Sequence, residues 1–84
     1  MSIDEPIIWT GDLNDDCTAI WNGLILRAEW MDRKFWWWAV SIHDGRAEEI
    51  DSSNNYDESC IGGKNARLLA ELAARKYLKS VSVE

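Results

Sequence analysis

The dipeptide Asn22-Gly23 constrains this chain more than any other feature of its sequence. It separates two runs of β-forming residues, and Asn followed by Gly accepts the positive φ angles that a two-residue hairpin turn imposes on both central positions. Such a turn fixes register: Trp21 faces Leu24, Ala19 faces Leu26 and Cys17 faces Ala28. Because side chains alternate across a strand, one face of the hairpin gathers Cys17, Ala19, Trp21, Leu24, Leu26, Ala28 and Trp30, all of them apolar.

The next run, Phe35 to His43, alternates in the same way, with Trp36, Trp38, Val40 and Ile42 on one side and Trp37, Ala39, Ser41 and His43 on the other. A three-residue loop of Asp32, Arg33 and Lys34 pairs Met31 with Phe35, Trp30 with Trp36 and Ala28 with Trp38, so the two apolar faces coincide. A four-residue loop turns Trp36 and Trp38 to the wrong side, and the hydrophobic pattern therefore selects the odd length. Asp44-Gly45 marks a further turn. Arg46 to Ser52, carrying Glu48, Glu49 and Ile50, suits a charged outer strand that resists pairing with another sheet.

Ser53 to Ser59 is polar and turn-rich, and Gly62-Gly63 punctuates the chain before a helix from about Lys64 to Lys79. Its expected apolar side is Ala66, Leu68, Leu69, Leu72, Ala73 and Tyr77, with Arg67, Glu71 and Arg75 opposite. That stripe is expected to cover the Trp36 and Trp38 face. Ile7, Ile8 and Trp9 form a short extra strand or a flap. The expected fold class is α+β: a single domain over residues 1–84, built as an antiparallel β-meander of three to four strands with one C-terminal α-helix packed on one face.

Eighty-four residues give a small core, so added stability is expected from a partner or a second copy. Six tryptophans in that length are the largest areas to bury in a core or an interface. Charge is segregated: residues 1–63 carry four basic and thirteen acidic groups, whereas residues 64–79 carry five basic and one acidic. An acidic body repels phosphate backbones and favours a protein or cationic partner. No apolar run is long enough to span a membrane, and no basic start leads into an apolar signal segment, which makes the cytoplasm the expected location.

The chemistry-bearing residues form no catalytic or metal pattern. Cys17 and Cys60 are too few and too far apart for a disulfide framework or a zinc motif and are expected as reduced thiols. His43 adjoins Asp44, but neighbours in a strand point to opposite faces and no nucleophile motif surrounds them. Asp12, Asn14 and Asp16 share the spacing of a calcium loop, yet Cys17 stands where the loop needs Gly and Gly23 where it needs Glu. Gly62-Gly63-Lys64 lacks both the earlier Gly and the following Ser or Thr of a phosphate loop, Asn65 standing there instead. No cofactor, no metal and no enzymatic activity are expected.

Two resemblances bear on function. Gly63-Lys64-Asn65-Ala66-Arg67 with Ala70, Glu71 and Ala73 is similar to the last helix of double-stranded-RNA-binding domains, a family with an antiparallel three-stranded sheet before that helix. The resemblance implies nucleic-acid contacts by Lys64, Arg67, Arg75 and Lys76, but the family's first helix is absent and the body is acidic. Tryptophan-rich strands followed by an Ala-, Arg- and Glu-containing helix also look like small accessory proteins of bacteria and their prophages. Such proteins, anti-CRISPR inhibitors among them, bind and block another protein.

If the helix covers the Trp36 and Trp38 face, the opposite face collects Ile20, Ile25, Arg27, Glu29, Met31, Phe35, Trp37, Ala39 and Ser41. Large apolar groups rimmed by polar ones have the composition of an interface core. The leading expectation is a non-catalytic protein-interaction module that uses Ile25, Arg27, Glu29, Met31, Phe35, Trp37 and Ala39 to bind a protein partner or a second copy as a homodimer. The alternative occupant of that face is the chain's own Ile7-Ile8-Trp9 segment.

Overall fold

The computed structural model describes residues 6–43, 48–55 and 60–81. Among them the strands β1 (Thr10–Gly11), β2 (Asp16–Trp21), β3 (Leu24–Asp32), β4 (Phe35–Ile42), β5 (Glu49–Ser52) and β6 (Cys60–Ile61) precede one helix, α1 (Gly63–Val81). The sheet runs β1-β2-β3-β4-β5 with every pairing antiparallel, and β6 also pairs with β4. The fold is therefore the α+β meander with a C-terminal helix. Its sheet holds more than the expected three to four strands, because two-residue strands form at both ends of the series. The expected Asp44-Gly45 turn lies outside the described residues.

Asn22 and Gly23 take φ values of 50° and 79°, and Trp21 pairs with Leu24, Ala19 with Leu26 and Cys17 with Ala28. Across the next hairpin Trp30 pairs with Trp36, Ala28 with Trp38 and Glu29 with Trp37, in the register the hydrophobic pattern selects. The connection itself differs from the expected three-residue loop. Asp32 pairs with Phe35, the turn is Arg33-Lys34 with Arg33 at φ 55°, and the ladder shifts between Trp30 and Asp32. Met31 is thus a bulge residue and not the partner of Phe35. One extra residue in the strand preserves the same parity that one extra residue in the loop would have given.

The helix packs on the Trp21, Trp36 and Trp38 side of the sheet, lying across β3 and β4. Ala66, Ala70, Ala74 and Leu78 are its buried line, whereas Leu68 and Leu72 stand 51% and 54% exposed. Of the expected apolar side, Ala66, Leu69, Ala73 and Tyr77 do pack on the core, and only Leu68 and Leu72 turn outward. Indole rings fill the space between the layers, so the helix turns its smallest side chains toward them and can approach closely. Gly63 is already so near that a Cβ there would meet the Trp36 ring at 2.8 Å. Gly62, at φ 89°, turns the chain into the helix and its carbonyl accepts the Ala66 amide at 3.0 Å.

Arg67, Glu71 and Arg75, expected on the helix's open side, instead face the N-terminal strands. Arg67 Nη1 donates to the Leu13 carbonyl at 2.9 Å, Trp9 Nε1 donates to Glu71 Oε2 at 2.8 Å, and the Arg75 guanidinium lies 5.2 Å from the Trp21 ring centroid. Ile7 and Trp9 pack against the same core cluster as the helix. Strand β1 forms just beyond them, at Thr10–Gly11. Ile7 and Trp9 thus seal the helix side of the sheet and do not fold over the Trp37 face.

Candidate functional site

Alternation along β2, β3 and β4 sends one set of side chains away from the helix. Directly opposed pairs order that face: Asp16 with Glu29 with Trp37, Thr18 with Arg27 with Ala39, and Ile20 with Ile25 with Ser41. On β5, Ser52 pairs with Ala39 and Glu49 with Ser41. Met31 and Phe35 complete it at the end nearest the Arg33-Lys34 turn. The residues expected on this face are therefore brought together in the expected neighbour relations, Met31 excepted in its pairing.

They are not equally accessible. Ile20, Met31 and Phe35 are 62%, 60% and 43% exposed, Arg27 is exposed, and Ile25, Glu29 and Trp37 are half-buried. Ala39 is only 4% exposed, so it forms floor between Arg27 and Ser52 and does not offer contact area of its own. Arg27 Nη2 lies 3.4 Å from Glu29 Oε2, and its guanidinium stands 5.8 Å from the Trp37 ring centroid. The Trp37 indole thus stands within cation–π distance of a charged pair on the sheet surface.

The outer edge of β4 adds a feature that strand alternation alone does not reveal. Strand β5 pairs with β4 at Ser41 to Ala39 and β6 at Trp36 to Phe35, which leaves Trp37 and Trp38 outside both described ladders. A single 3₁₀ turn, Ser53–Asn55, follows β5, and Ser53 Oγ accepts the Trp38 amide at 3.3 Å. Beside it opens a pocket of about 250 Å³ lined by Met31, Phe35, Trp36, Trp37, Ser53, Asn54 and Cys60. The polar run at Ser53 was its only sequence signal.

The remaining candidates have structural explanations. The Asp12 carboxylate accepts the Asn14 amide at 2.9 Å, and the Asp12 carbonyl accepts the Asp15 amide at 3.0 Å, which makes the acidic cluster the turn between β1 and β2. No metal-holding group of His, Cys, Asp and Glu occurs among the described residues. His43 is exposed, and its backbone amide donates to the Gly23 carbonyl at 2.8 Å. Asp44 lies outside the described residues. Cys17 and Cys60 are free and buried, and burial pushes both thiols above the ordinary value of 9.0.

Of the residues aligned with a nucleic-acid role, Lys64 and Lys76 are exposed, while Arg67 and Arg75 are partly buried and engaged as described. No described helix is long and apolar enough to cross a membrane. Comparisons with protein-family models, curated proteins and solved structures give no match.

Proposed function

We propose that this chain is a non-catalytic protein-interaction module whose sheet face around Trp37 receives a positively charged, partly apolar protein surface. One observation carries this reading: among the described residues, the N-terminal apolar groups packed against the core, Ile7 and Trp9, lie on the helix side, and the large apolar groups opposite are left uncovered. Trp37 and Phe35 supply aromatic area beside a pocket able to take a partner side chain, the arrangement in which a few residues dominate binding energy. Asp16, Glu29 and Glu49 outnumber Arg27 on the face, and Arg27 is already paired with Glu29. That balance selects for a cationic counterpart.

Trp37→Ala and Phe35→Ala are expected to abolish association in sedimentation experiments while far-UV circular dichroism stays that of the wild type. An unchanged monomer before and after both substitutions, with no binder lost, contradicts the proposal.

A further inference from the structure

We infer that the surface received by the Trp37 face is the outer face of α1 on a second copy of this chain. The inference rests on the preceding reading of the Trp37 face and names its occupant. The outer line of the helix carries Leu68 and Leu72 in the open, flanked by Lys64, Lys76 and Lys79, all exposed. Its one acidic neighbour, Glu71, is turned aside to accept the Trp9 indole N–H. The helix therefore shows an apolar centre whose free charged neighbours are basic, and the far side of the sheet shows an apolar centre on which Asp16, Glu29 and Glu49 outnumber Arg27.

The two faces lie on opposite sides of a two-layer domain, so they cannot meet within one chain. They can meet between chains, where a helix laid on the second face of the sheet repeats the layering that α1 already makes with the first. Sheet-to-sheet pairing would instead bring together two faces with the same excess of acidic groups, which costs affinity. Helix-to-sheet contact is heterologous: each copy keeps one face of each kind, and assembly continues until a ring closes or a chain of subunits grows.

Mixing two variants, each defective in one face, tests this. Sedimentation velocity over a concentration series should show the wild type growing beyond a dimer. Ile20→Glu, at an exposed position of the sheet face, and Leu72→Glu, on the helix, should each stay monomeric alone at those concentrations. Their equimolar mixture should form a dimer and nothing larger, because only one sound pair of faces exists. A mixture that stays monomeric, or a wild type that is monomeric throughout, overturns the inference. If Leu72→Glu alone associates like the wild type while Ile20→Glu and Trp37→Ala do not, the Trp37 face remains the interface and its helix occupant is wrong. Association untouched by every sheet-face variant sinks both readings together.

Discussion

Gly63 shows how little room separates the layers. An added methyl group would meet the Trp36 ring at 2.8 Å, and that indole is itself held between sheet and helix, so something must shift. Gly63→Ala is expected to cost about 1–3 kcal/mol, which urea denaturation would register as a lower midpoint at unchanged slope. The two thiols give a pH dependence of definite sign. Burial raises both above 9.0, so above that pH the unfolded chain ionises first and binds fewer protons than the native one. Stability then falls as pH rises through the alkaline range and levels off only above the native-state values. Urea midpoints measured from pH 8 to 10.5 should show this decline, and a chain with Cys17→Ala and Cys60→Ala should show a shallower one.

At the level of elements, the orientation of α1 separates the alanine line from the leucine line. Ala70→Leu places extra carbon against the indoles and is expected to destabilise by about 1–3 kcal/mol. Leu72→Ala, at an exposed site, should change stability by no more than about 0.5 kcal/mol. Equal effects in thermal melts would contradict the observed packing. The same contrast marks how far the sequence could be read. Turn chemistry at Asn22-Gly23 and the alternation through Trp36 and Trp38 are local signals, and they settled register and the sorting of faces. Ala66, Leu69, Ala73 and Tyr77 were placed on the packed side as found, but which residues lie innermost depended on the width of rings in another element, and periodicity ranks leucine above alanine without knowing that width. Met31 was misplaced for a related reason: loop and bulge each add one residue, and parity cannot tell them apart. The pocket beside Trp37 left no trace beyond the polar run at Ser53, because it arises where the pairing of β5 and β6 along β4 is interrupted.

For the whole molecule, the two-layer design leaves, among the described residues, exposed apolar groups on each outside surface: Leu68 and Leu72 beside lysines on the helix, and Ile20, Met31 and Phe35 with Asp16, Glu29 and Glu49 on the sheet. The basic helix that resembles a duplex-RNA contact is here the positive side of an otherwise acidic chain with a net charge of −6. The six indole N–H groups report on these surfaces separately. Trp21 and Trp38 are buried in the core, Trp9 Nε1 is bound to Glu71, and Trp37 stands on the open sheet face. The most direct measurement is an indole ¹H–¹⁵N spectrum of the full chain over a dilution series, with each signal assigned through a Trp→Phe variant. If the Trp37 face is an interface, the Trp37 signal moves with concentration while those of Trp21 and Trp38 stay fixed. A Trp37 signal that keeps its position and width at every concentration, or one that moves only together with the core indoles, would contradict it.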